Sequence, residues 1–265
     1  MGVNGDRCGG NTFRRYFPKP NYELIMHAVW TIAKRELASF FDSLIAYIML
    51  VLFLGFSGFF TWLLGSDVFY TGQASLESFF NVAYWTLFFF IPALTMRLLA
   101  EEKKTGTIEL LLTKAVTDRQ IVLGKFLSAL LLVVIALAFT LPYVFTISSI
   151  GNMDTGQVIC GYLGLILMSA MYTSIGLYAS STTTNQIVAF LGAMFTGLFF
   201  HIIFGLLAQQ APGWLGLVFD YLNLNTHFES MSRGVLDTRD LVYFASITAV
   251  GIILSELSLT KRHTA

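Results

Sequence analysis

Six apolar stretches, each near the roughly twenty residues that a bilayer's hydrocarbon core requires of a helix, dominate this 265-residue chain. They run Leu44–Leu64, Phe79–Leu99, Ile121–Ile150, Val158–Ser180, Ile187–Gln209 and Leu241–Leu259. Lipid offers the backbone no hydrogen-bonding partner, so only helices and closed barrels cross it, and runs this long and apolar read as helices. The residue balance agrees: 12% are charged and 55% hydrophobic, whereas soluble domains carry roughly 25% charged residues. No polar stretch is long enough to fold alone. The expectation is an all-α membrane protein with one six-helix domain over residues 43–260, a tail at 1–21 and a short tail at 261–265.

Charge placement orients these spans. Of the Lys and Arg residues, six precede the first span, six fall from Arg97 to Lys125, and two, Lys261 and Arg262, close the chain. The opposite side carries two, Arg233 and Arg239. An even number of spans puts both termini on one side, and the positive-inside bias makes it the cytoplasm. A net charge of zero gives no reason to expect nucleic acid as a partner. Cys8 and Cys160 fall on opposite sides in this topology and offer neither a disulfide framework nor metal-ligand spacing. The basic tail lacks the apolar core of a cleavable signal.

Residues 22–42 read as an amphipathic helix lying in the cytoplasmic interface. On a helical wheel Glu23, His27, Thr31, Lys34, Arg35 and Asp42 share one arc, with Ile25, Val29, Ile32, Ala33 and Phe40 opposite. Lys34 and Arg35 then stand at headgroup level, against membrane lipid. Glu36 breaks the pattern by falling within the apolar face. It must bend back to water, pair with a nearby base or touch another part of an assembly.

On the far side, residues 210–240 are too long for a simple connector. Trp214–Leu222 is apolar but short, and is expected to dip into the outer leaflet as a re-entrant hairpin. Thr226 with Glu229 three residues on has the spacing of a capping box, and Gly234 suits a helix end. Asp237 and Thr238 suit the start of the sixth span. The loop would either close the outer face or take part in substrate passage.

The segment from Arg97 to Gln120 carries the strongest functional signal. The second span runs into Glu101-Glu102-Lys103-Lys104, Gly106 can terminate it, and Thr107 can cap a short helix to about Ala115. With Ile108, Leu111 and Leu112 on one side and Glu109 and Thr113 on the other, this helix has the shape of a docking element. The string Glu101-Glu102-Lys-Lys-Thr-Gly106-Thr107-Ile-Glu109-Leu-Leu111-Leu112 resembles the ABC-2 permease family, in which Glu-Glu-x-x-x-Gly-Thr-x-Glu-x-Leu-Leu marks this loop. Phe90–Arg97 before it and Ile121–Phe126 after it fit the same family. The likeness extends over about Trp30 to Thr260 and is most like the gliding-motility and nitrous-oxide-reductase-maturation permeases. Asn225–Val235, with Thr226, Glu229, Arg233 and Gly234, is a second match in the outer loop. One departure is Ala115, where such permeases carry Pro; nothing there stops the short helix from running a turn further.

The resemblance implies a non-catalytic subunit of the bacterial inner membrane that binds no cofactor itself. Two six-helix halves would form the pathway, the second half being another copy or a related subunit with a large domain outside the membrane. Two copies of a separate ATPase would hold ATP and magnesium, and export of a substrate or mechanical work would follow. Thr107–Ala115 would be the coupling helix, oriented by Glu101, Glu102 and Glu109 against bases on the partner or on the helix before the first span. The chain has no phosphate-binding G-x-x-x-x-G-K-[ST] loop of its own, because Gly124-Lys125 is followed by Phe126.

Two other functional classes compete with this reading. Secondary transport needs ionisable groups near mid-bilayer, and only His201 lies deep in a span; Arg97, Lys125 and Glu256 stand near span ends. An intramembrane serine protease is the second: Gly55-Phe56-Ser57-Gly58 reproduces the Gly-x-Ser-Gly of rhomboid-type proteases. Ser57 and His201 would form a dyad if their spans touch. Such a pattern is cheap in a chain with 22 glycines, and small residues are common where membrane helices pack.

Overall fold

Every apolar stretch forms helix over its described residues, and the outer ends of these helices fall within a few residues of the ends of the apolar runs. The computed structural model describes residues 22–63, 75–107 and 117–261, with side chains from residue 26. The expected 107–115 helix, apart from Thr107, therefore lies outside the described residues, as do the tails 1–21 and 262–265. In chain order the helices are α1 (Tyr22–Asp42), α2 (Leu44–Trp62), α3 (Glu77–Thr95), α4 (Ala100–Thr105), α5 (Asp118–Ala138), α6 (Leu141–Ile150) and α7 (Thr155–Thr182). Then come α8 (Gln186–Leu198), a π-helical turn (Phe199–Ile203), α9 (Phe204–Gln210), α10 (Trp214–Leu222), α11 (Leu224–Ser232) and α12 (Thr238–Thr260). Among the described residues six units are long and apolar enough to cross a membrane: Leu44–Trp62, Glu77–Thr105, Asp118–Ile150, Thr155–Thr182, Gln186–Gln210 and Thr238–Thr260.

The fourth span, α7, is the hub, packing against α3, α5, α8, α11 and α12. Without a hydrophobic drive between helices in lipid, close approach depends on small residues. A Cβ at Gly176 would run into Thr95 of α3, and one at Gly161 into the Phe80 ring. The outward faces carry large apolar side chains, such as Val51 and Phe56 on α2 and Ile187 and Phe195 on α8.

Three spans are interrupted, each for a local reason. Between α3 and α4 the backbone leaves the helix at residues 96–99, and Ser180 of α7 bridges the break. Its hydroxyl donates to the Met96 carbonyl at 2.9 Å and accepts from the Leu99 and Ala100 amides at 3.1 and 3.0 Å. The third span breaks at Phe139–Thr140, and Pro142 stands in the first turn of the new helix, where no N–H partner is needed. Thr140 meets the Tyr162 hydroxyl at 2.8 Å. The fifth span carries the π turn, which re-aims His201 into the bundle.

The loop beyond α9 folds differently from the capping-box expectation. Helix α11 starts at Leu224, with Asn223 as its cap accepting from the Asn225 amide. Thr226 is already inside the helix, and its hydroxyl bonds the Asp220 carboxylate at 3.2 Å and the Asn223 amide at 3.0 Å. Glu229 instead pairs with Arg233 one turn on. The end matches the reading of Gly234: φ is +90° there, and the Gly234 and Val235 amides return to the Met231 and Ser230 carbonyls, the pairing of a Schellman motif. Asp237 caps α12 by accepting from the Arg239 amide.

Candidate functional site

Where α5 starts, a capping box between Thr117 and Gln120 fixes its first turn. The next turn brings Gly124 and Lys125. A Cβ at Gly124 would come within 2.6 Å of Ile32 Cγ2, so the missing side chain is what lets α1 lie against α5. Val29, Ala33 and Phe40 of α1 are buried. The apolar arc read from the wheel thus packs on protein. In that contact Lys125 is 1% exposed.

Its ammonium has two carboxylates around it. Nζ lies 2.7 Å from Glu102 Oε1 and 3.3 Å from Glu36 Oε2. Glu36 accepts in turn from the Arg35 guanidinium at 2.8 Å. Burying an ammonium costs several kcal/mol unless counter-charges offset it, so the two carboxylates explain how Lys125 is tolerated here. Burial pushes the Glu36 carboxyl upward, but Lys125 and Arg35 outweigh that and hold its pKa below the ordinary value. The second oxygen of Glu102 is buried without a partner among the described residues.

The same short helix is tied on its other sides. Glu101 pairs with Arg97 at 3.3 Å. Lys103, 8% exposed, donates to the Ser181 carbonyl in the last turn of α7, where the helix dipole favours a cation. Ser258 of α12 donates to that carbonyl as well, at 2.9 Å. Helix α4 is therefore bound to spans 3 and 4, and shares Lys125 with Glu36 of α1; it ends at Gly106 with φ of +72°, a conformation that suits a residue without Cβ. A cleft of about 440 Å³, lined by Arg35, Glu36, Arg97, Glu101, Glu102 and Thr107 among others, opens beside it. The chain leaves this corner toward residues 108–116.

Some sequence readings gain partners here and others do not. Glu36 finds the nearby base offered as one of its alternatives. Glu102 does not bond the helix before the first span; its base is Lys125 of the third, and it follows the break at residues 96–99 that Ser180 bridges. Glu101 is matched within its own helical turn. Lys34 is exposed. Glu109, Leu111 and Leu112 lie outside the described residues. Lys125 and Lys103 were not singled out as site residues, although a lone lysine one turn into an apolar run is the pattern that could have found the first.

At the opposite end of the bundle, His201 is 4% exposed and its Nδ1 lies 2.9 Å from the Tyr172 hydroxyl. Its ring stacks on Tyr84 at 4.1 Å and on Phe88 at 4.4 Å. Tyr84 stacks in turn on Phe228 of α11 at 4.9 Å. Four rings from spans 2 and 5 and the loop thus form one column. Ser57 is no part of it: its hydroxyl donates to the Leu54 carbonyl of its own helix, so no dyad with His201 is formed. Its neighbour Gly58 makes room for the Tyr143 hydroxyl, which is the helix-packing role that small residues serve in membranes.

A second histidine locks the loop to the sixth span. His227 Nδ1 is 2.7 Å from Asp240 Oδ1, and Nε2 is 2.9 Å from the Tyr221 carbonyl. Both ring nitrogens thus have an oxygen partner, which fixes the ring at two points. Tyr243 stacks on the ring at 4.1 Å, and its hydroxyl donates to the Leu222 carbonyl. Spacing gave no signal for this pair, since thirteen residues and a turn separate its members.

No curated protein matches the chain. A family model described as ABC-2 family transporter protein matches residues 64–255. That stretch runs from the end of the first span almost to the end of the sixth, and it contains the α4 corner, the buried Lys125 and the outer loop. Such proteins are membrane subunits of ATP-binding-cassette transporters that generally work with an ATPase. With six membrane-length helices and a family match over most of its length, this chain belongs to the ABC-2 transporter family.

Proposed function

We propose that this chain is a permease half in which the α4 corner carries ATPase-driven motion into the spans through Lys125. The observation that supports this is the Glu36–Lys125–Glu102 cluster, with Nζ distances of 3.3 and 2.7 Å. It joins α1, the second span and the third span beside the cleft from which the 107–115 segment departs. A push on that segment reaches three elements at once, because none can shift without parting buried charges. The α1 end faces the cytoplasm by the positive-inside bias. Residues 107–115 form the coupling helix that seats in one of two ATPase copies, with ATP and magnesium held there. Helix α1 lies at the cytoplasmic interface, α10 dips into the outer leaflet, and a second permease half completes the pathway. Substrate export, or work on an envelope component, follows. The narrower likeness to gliding-motility permeases rests on the loop strings alone and favours a partner subunit with a large outer domain.

The test uses the complex purified with its ATPase. Gly106→Val, which resists positive φ, and Glu102→Lys, which sets two ammonium groups together, should insert normally and lower permease-regulated ATP turnover by about tenfold or more, the scale of a few kcal/mol at a desolvated contact. Wild-type regulation in both variants would end the coupling role. Orientation is tested separately in a Cys8→Ser, Cys160→Ser background. A cysteine at Thr155 should react with an impermeant maleimide from outside, and one at Thr117 only after permeabilisation; labelling of Thr117 in intact cells reverses the topology.

A further inference from the structure

The outer half of α3 carries polar groups where a lipid-facing helix should not. Glu77, Asn81 and Trp85 are exposed and, four residues apart, share one face over about 12 Å of helix. Glu77 is the first residue of α3, at its outer end, and Asn81, one turn inside the apolar run, is costly against acyl chains, so the face meets water or a ligand. Helix α11 stands opposite, and between the two lies a cleft of about 230 Å³ lined by Glu77, Asn81, Tyr84, Trp85, Asn225 and Glu229 among others. Tyr84 contributes an independent signal. Its side chain is 4% exposed, both ring faces are taken by His201 and Phe228, and its hydroxyl has no hydrogen-bond partner among the described residues. A buried hydroxyl left unpaired is costly, a cost that a ligand entering the cleft would remove.

The chemistry of the lining selects the ligand. No Lys or Arg lines the cleft. Glu229 is matched by Arg233, whereas Glu77 has no ion-pair partner among the described residues. Trp85, 44% exposed, edges against Tyr84 and His201 and keeps an open side. An open indole binds ammonium groups through its face, a carboxylate two turns along the same wall adds a counter-charge, and the amide oxygens of Asn81 and Asn225 with the Tyr84 hydroxyl add acceptors. We infer that this cleft binds the ammonium group of a cargo molecule, and that Trp85 and Glu77 select it. The inference rests on the permease reading for its direction, since it treats this end as the outer mouth of the pathway. The volume suits one headgroup-sized moiety, a water's share of liquid being about 30 Å³.

Equilibrium binding of radiolabelled choline to the full chain tests it, in nanodiscs of phosphatidylglycerol and without the ATPase, so that the outcome is separate from that of the coupling experiment. Saturable binding is expected, displaced by unlabelled choline but not by its neutral isostere 3,3-dimethylbutan-1-ol. Glu77→Gln and Trp85→Leu should each weaken it roughly tenfold or more, with unfolding temperatures unchanged because both side chains are exposed. Nanodiscs containing phosphatidylcholine should reduce choline binding if the ammonium arrives on a lipid, and leave it unchanged if it arrives on a free solute. Absence of saturable binding, equal displacement by the isostere, or full binding in both variants would overturn the assignment.

Discussion

The two ends of this bundle hold their elements together by different physics. At the α1 end the linkage is ionic: one buried ammonium with carboxylates at 2.7 and 3.3 Å, beside an open cleft of about 440 Å³. At the α11 end it is mostly aromatic, with rings stacked 4.1 to 4.9 Å apart from Phe88 through His201 and Tyr84 to Phe228. Stacked rings depend on mutual shape and hold one arrangement, as close-packed interiors do. An ammonium between two carboxylates can favour one or the other without losing its pairing. The contrast suits an input end that must respond and an outer end that must keep its form.

The largest expected effect breaks the ionic end. Lys125→Met leaves two part-buried carboxylates facing each other, a loss of about 3–5 kcal/mol; thermal unfolding in detergent would register it. Adding Glu36→Gln and Glu102→Gln should recover most of that stability, because removing a whole buried cluster is often nearly neutral. ATPase regulation should not recover. If stability returns and regulation returns with it, the charges are structural only and the contrast between the ends collapses.

A smaller effect is expected at the other end. His227→Leu strands the buried Asp240 carboxylate and the Tyr221 carbonyl, a cost of about 2–3 kcal/mol. Because the link is local to the loop and α12, hydrogen exchange should rise over α11 and the first turn of α12 while the α1 end stays protected. Exchange rising equally at both ends would mean that the two regions are not separable.

The smallest effect sharpens the loop. Asn223→Ala should cost about 1 kcal/mol, the usual worth of an N-cap, and raise exchange in the first turn of α11. Thr226→Ala should change less, since its hydroxyl makes exposed side-chain bonds to Asp220 and Asn223. The reverse order would restore the Thr226–Glu229 capping box. Thr and Glu at that spacing are a sound local signal, but the asparagine three residues earlier offers a cap to the same turn, and contacts with α10 decide in its favour.

What the chain alone determined is local in range. Apolar length marks each span because a helix satisfies its own backbone within about four residues. Gly106, Gly234 and Asp237 mark ends because φ and cap chemistry belong to single residues. The wheel for residues 22–42 had the correct phase, and it isolated Glu36 as the misfit. What that face meets was beyond its reach, since Glu36 and Lys125 are brought together by the contact of α1 with α5 at Gly124. Likewise His201 shows as a lone polar group in a span, while its ring column depends on a π turn and on two other elements, α3 and α11. Pairings of this kind are decided by how helices rotate and approach as solid bodies. That is a property of the packed whole, fixed by the volume of every neighbouring side chain at once, and no periodicity along one helix records it.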